Sequence, residues 1–152
     1  MSVSQHPVPL IYRIAFNWVE PFFATAGALQ AYIFPRSLQE IETPSIKYSP
    51  ILQPLFTQRT GAWLLLAFND AVTLRATQDI IIWRLILAGG LFSDFFYTLS
   101  ILEDRGSAKF WDPMAWDMND WITITLTVVP MAIKLACVAG VGFGKSPKSK
   151  KQ

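Results

Sequence analysis

Residues 79–102 read DIIIWRLILAGGLFSDFFYTLSIL. The run is close to the roughly 20 apolar residues that a helix needs to cross a bilayer. Asp94 lies well inside it. A carboxyl at that depth costs about 2.5–3.5 kcal/mol on insertion scales, so it must have something to face. On a helix, residues three, four and seven away share its side, which places Leu87, Gly90, Leu91, Tyr97 and Thr98 beside it. Two hydroxyls and a glycine notch around one carboxyl describe a pocket wall better than a lipid-facing stripe.

Three further apolar runs flank this one, predicting spans over 10–34, 61–77, 79–102 and 121–143. A tail of residues 1–9 precedes them and a basic tail, 144–152, follows. The first run carries Asn17, Glu20 and Pro21 on or near one face with Arg13, Ala24 and Gly27. Pro21 has no backbone N–H, so the carbonyl of Asn17 is freed next to Glu20. Glu20 reads either as a partner for Arg13 or as a pocket acid. The second run centres on Asn69 and Asp70, with Thr73 on the Asp70 face; a short link then leads to Asp79, placed as an N-cap. In the fourth, Thr123, Thr127, Pro130, Lys134 and Cys137 recur at steps of four, three, four and three. Lys134 is about 13 Å from the nearer surface, long for a snorkelling lysine, which favours an inward cation with a carboxylate partner.

The connections 35–60 and 103–120 read as long loops, each either a lid or a linker. The second holds Trp111 and Trp116, fitting an interface belt or a cover over a pocket mouth. In the tail, Lys148 and Lys150 have the spacing of a dilysine retrieval signal, the alternative being contact with anionic lipid. Charge bias between loops places both termini in the cytosol, and the retrieval spacing places the protein in the endoplasmic reticulum membrane.

Composition agrees with a single membrane domain: of 152 residues, 52% are hydrophobic and only 16% charged. A net charge of +2 argues against a nucleic-acid partner. Cys137 is the one cysteine and His6 the one histidine, so neither a disulfide nor a cysteine–histidine metal cluster can be assembled within the chain. The first residues lack the pattern of a removable signal peptide.

The stretches IYRIAFNWVEPFFATAGAL, LLLAFNDAVTLRAT, the 79–101 run and WDPMAWDMNDW resemble a family of small fungal four-span membrane proteins known as a domain of unknown function. The recurring signals are Glu20-Pro21, Asn69-Asp70 with Arg75-Ala76-Thr77, and Asp94. The architecture is also similar to the EXPERA group of sterol isomerases and sterol-binding relatives, although the buried histidine of those isomerases has no counterpart here.

The expected fold is therefore all-α, an integral membrane four-helix bundle. The expected function is a polar intramembrane pocket for a sterol- or terpenoid-like lipid. Glu20, Asp70 and Asp94 are the candidate catalytic acids, and Asn17, Asn69, Thr73, Tyr97, Thr98, Thr127, Lys134 and Trp116 the candidate pocket residues. An isomerase or cyclase using these acids would need neither metal nor other cofactor. A proton or ion pathway formed in a homo-oligomer is the remaining alternative.

Overall fold

The computed structural model describes residues 8–143, so the N-terminal residues and the basic tail with Lys148 and Lys150 lie outside the described residues. Every regular element among the described residues is helical. Four long helices account for most of the chain: α1 (10–33), α3 (53–73), α4 (Ile80–Arg105) and α5 (Met118–Ala139), with a short α2 (Pro35–Glu42) between the first two. Of these, α4 and α5 are each long and apolar enough to cross a membrane, and only a minority of their residues are fully buried. Phe92, Phe95, Phe96, Leu126 and Val129 are among the large apolar side chains left exposed.

Two of the long helices are not uniform. In α1 a π-turn, Ala15–Val19, joins Leu10–Ile14 to Glu20–Ile33; in α3 a second, Asn69–Thr73, continues Gln53–Phe68. The backbone stays right-handed helical through both junctions. π-Turns are uncommon and gather at functional sites, because the extra residue re-aims the side chains around it. Here the two π-turns touch each other and carry Asn17 and Asp70.

Helix ends follow from local chemistry. Asp79 caps α4, its Oδ1 accepting from the Ile81 N–H at 2.8 Å. Asp117 and Asp120 form a reciprocal capping box that starts α5 at Met118, ahead of the expected Trp121. Gly140, left-handed at φ 83°, ends α5 as glycine readily does. The expected loop 35–60 is largely helical. Pro35 opens α2 as a first-turn proline, and α3 begins at Gln53 rather than Gly61, with Pro54 tolerated in its first turn. The segment 103–120 continues α4 to Arg105 and then makes two short turns, Ser107–Phe110 and Pro113–Ala115.

Helix α1 packs along α3, and α4 along α5. Gly27 of α1 faces Trp63 of α3, while Asn17 of α1 meets Arg75 beyond the other end, so the pair is antiparallel. The buried apolar residues are divided by position along the helices. Tyr12, Phe16, Leu74, Trp83, Leu87 and Cys137 cluster at the end nearest the termini. Ala31, Leu38 and Phe56, and separately Ile101, Phe110 and Ile124, close the opposite end. Ionisable side chains occupy the level between these clusters.

Candidate functional site

Lys134 is the centre of that level. It is 2% exposed, and its ammonium bonds Asp94 Oδ2 at 2.8 Å and also pairs with Glu20 Oε1. Three helices thus meet through one side chain: α5 supplies the lysine, α4 the aspartate and α1 the glutamate. Gly90 makes room for it. A Cβ built there would stand 3.5 Å from both Cε and Nζ of Lys134, ordinary van der Waals contact, so a branched side chain at this position would crowd the lysine. Arg13, the alternative partner for Glu20, is exposed.

A cleft of about 440 Å³ opens on one side of this triad, between α1 and α5, with α4 as its floor and α2 across one end. Glu20 and Asp94 line it, and its walls are mostly apolar and aromatic: Phe23, Trp63, Leu126 and Pro130 among them. The cleft follows α1 from Ala15 to Gln30, about 20 Å of helix. Its rim is apolar and exposed, with Val19, Phe23, Ile122 and Val129 standing on either side of the opening.

A smaller cavity of about 280 Å³ lies on the other side of Lys134, between α3 and α4. Asn69, Asp70, Gly89 and Gly90 line it together with the lysine. The acids are therefore divided between two spaces, with Lys134 as the partition. Asp70 is 5% exposed and, among the described residues, has neither a hydrogen bond nor an ion pair.

The remaining sequence candidates are distributed as follows. Asn17 is buried but lines neither cavity, and its Oδ1 has no hydrogen-bond partner; Glu20 Oε2 also lacks one. Thr127 lines the cleft and donates to the Thr123 carbonyl at 2.7 Å. Thr98 donates to the carbonyl of Asp94 at 2.7 Å, a bond within its own helix, and lines neither cavity. Thr73, half-buried on its π-turn, lines neither cavity. Trp116 is not a cover over the cleft: its indole donates to the Lys109 carbonyl at 3.0 Å and its ring stands edge-on to Trp121.

Tyr97 lines the cleft but leads to a partner that sequence reading missed. Its hydroxyl donates to Glu42 Oε1 at 2.5 Å, and Glu42 Oε2 pairs with Arg59. Burial pushes the Glu42 carboxyl above its ordinary range, and the Arg59 charge and the Tyr97 hydroxyl pull it partly back. Arg105 holds the helix that carries Glu42. Its guanidinium donates to the Ile41 carbonyl at 2.8 Å and the Glu42 carbonyl at 3.0 Å, and pairs with Asp104 and Asp120. An arginine on the last carbonyls of a helix satisfies acceptors that would otherwise lack donors. The signal for α2 was the amphipathic spacing Leu38, Ile41, Glu42 after Pro35.

An all-helical chain with an ionic group buried between apolar ends, and an apolar-walled cleft beside it, is the class of protein that this geometry defines. The chain belongs to the family described as Domain of unknown function (DUF7704), which matches residues 5–145. Neither a curated protein nor a solved structure matches it.

Proposed function

We propose that the chain is an integral membrane protein that crosses the bilayer four times and holds a sterol- or terpenoid-like lipid in the cleft between α1 and α5. The observation that carries this reading is the cleft itself. It is roomy, mostly apolar-walled, polar at the level of Glu20 and Asp94 and again at the α2 end around Glu42 and Tyr97, and rimmed by exposed apolar side chains, the features of a ligand site entered from a hydrocarbon phase. The division of the buried core supports the four crossings: the ionic triad sits between two apolar levels, where surrounding lipid would leave it no partners but those it has. The charge bias between loops favours both termini in the cytosol, and the dilysine spacing of Lys148 and Lys150 favours an endoplasmic reticulum membrane.

A second reading, acid–base isomerisation or cyclisation of an isoprenoid lipid, draws on Glu20 and Asp94. Both carboxylates face the cleft, and both are held by one lysine, which fixes their positions against a ligand. One acid donating and its neighbour accepting a proton would need no cofactor.

The test is to purify the full chain and identify bound lipid by mass spectrometry, alongside a variant whose cleft is filled by Ala24→Phe. A specific lipid in the native protein and its loss from the variant support the cleft. The same lipids in the same proportions from both would exclude it. An Asp94→Asn protein that retains the lipid then separates the two readings, because only catalysis predicts that product formation stops.

A further inference from the structure

The polar level of the cleft has more acceptors than donors. Lys134 is one cation set between two carboxylates, so the Glu20–Lys134–Asp94 group carries a surplus negative charge when both acids are ionised. Two of the three N–H groups of the ammonium are used on those carboxylates. Glu20 Oε2, on a side chain that lines the cleft, has no donor. Asn17, one turn away on the same helix and nine-tenths buried, lines neither cavity, but its Oδ1 has no donor either. Asp70, behind the lysine, adds a third carboxyl without a partner among the described residues. Buried acceptors without donors and an incompletely compensated charge both raise the free energy of the empty site.

We infer that the cleft selects lipophiles whose polar group is a protonated amine, in preference to the matching alcohol or carboxylic acid. An ammonium brings both things that the site lacks: N–H donors for Glu20 Oε2 and positive charge for the surplus carboxylate. A hydroxyl supplies one donor and no charge. A carboxylate adds a third negative group beside two already sharing one lysine, and would meet repulsion in a poorly screened interior. The apolar walls accept any of the three tails equally, so the ranking reports on the polar groups of the cleft, and Glu20→Gln tells the triad from the Glu42 end. This specificity rests on the cleft being a lipid site.

The full chain in an uncharged maltoside detergent is titrated at neutral pH with dodecylamine, dodecanol and dodecanoate, and the thermal unfolding midpoint is followed. The expected order is amine, then alcohol, then carboxylate, with the amine about tenfold tighter than the alcohol, since charge-assisted hydrogen bonds are about twice as strong as neutral ones. Glu20→Gln keeps the shape and the Lys134–Asp94 bond while removing the surplus charge; it should narrow the gap between amine and alcohol and improve the carboxylate. If the alcohol or the carboxylate binds as tightly as the amine, the inference is overturned and the lipid cleft stands. If none of the three shifts the midpoint, the lipid cleft fails as well. Should Glu20→Gln not fold, the ranking in the native chain decides the matter alone, and an unchanged ranking in a folded Glu20→Gln also overturns the inference.

Discussion

Arg75 donates a hydrogen bond to the backbone carbonyl of Asn17, the carbonyl that Pro21 leaves without its helical donor. The guanidinium also lies 4.1 Å from the ring centroid of Trp18, so its plane is held from a second direction. One bond thereby joins the π-turn of α1 to the end of α3, and sets the level at which Asn17 and Glu20 face the interior.

The link between Pro21 and Arg75 predicts a coupled pair of substitutions. Arg75→Ala should destabilise the native chain by about 1.5 kcal/mol, the low end for a hydrogen bond from a charged group. Pro21→Ala restores an N–H that can take the Asn17 carbonyl within the helix. In that background Arg75→Ala should cost only a few tenths of a kcal/mol, leaving a coupling of about 1 kcal/mol in a double-mutant cycle. Additive effects in thermal unfolding would mean that Arg75 acts through Trp18 rather than through the carbonyl.

Gly27 predicts a steric effect on the cleft wall. A Cβ at this position would stand 2.8 Å from Cζ3 of Trp63, closer than real contacts allow, so the rigid indole must shift toward the cleft it borders or α1 and α3 must separate. Gly27→Ala should destabilise by about 1–3 kcal/mol, as overpacking between helices does. It should also shift the fluorescence emission of Trp63, best read in a variant lacking the other tryptophans. An unchanged spectrum together with unchanged stability would show that α1 and α3 can separate at no expense.

Glu42 predicts a component of pH dependence. Burial raises its carboxyl pKa above the ordinary 4.5, with Arg59 and Tyr97 opposing. The folded state then binds the proton more tightly than the unfolded one, so stability is greater below 4.5 and declines as pH rises from there through the raised value. Glu42→Gln should remove that decline. It keeps an acceptor for the Tyr97 hydroxyl but leaves Arg59 without its carboxylate, so a modest uniform loss is expected as well. Unfolding midpoints across the acidic range distinguish the two contributions. A decline of equal slope in the variant would place its origin in another group.

Several of these features are written in short sequence patterns. The apolar runs mark the long helices, Asp79 marks a cap, and Pro21 marks a freed carbonyl; each is a local rule acting over one turn. Lys134 could be read as inward because its polar stripe runs unbroken along α5. Which carboxylates it meets is different, since that depends on how α1, α4 and α5 are set against one another. Spacing alone left Glu20, Asp94 and Asp70 equivalent, and the packing assigns the first two to the lysine and the third to a separate cavity. The early start of α3 was hidden by Pro54, which sequence punctuation treats as a break although a first turn accommodates it. Glu42, Arg59 and Arg105 were illegible for the same reason as the triad: their partners are distant in the chain and nearby only after folding.

The triad itself makes the last prediction. Removing the cation alone, as in Lys134→Met, leaves Glu20 and Asp94 buried without their shared partner. Breaking a buried ion pair from one side typically costs about 3–5 kcal/mol, because the charge left behind is neither solvated nor paired. The single variant should therefore unfold at a clearly lower temperature. Neutralising the acids at the same time, in Lys134→Met with Glu20→Gln and Asp94→Asn, removes the stranded charges while keeping the volume of each side chain, and should recover most of the loss. Recovery in the triple variant together with loss of lipid binding would show that the ionic group serves the ligand more than the fold. If the triple variant is no more stable than the single one, the loss comes from the bonds that the ammonium makes between α1, α4 and α5, and the stranded charges are secondary.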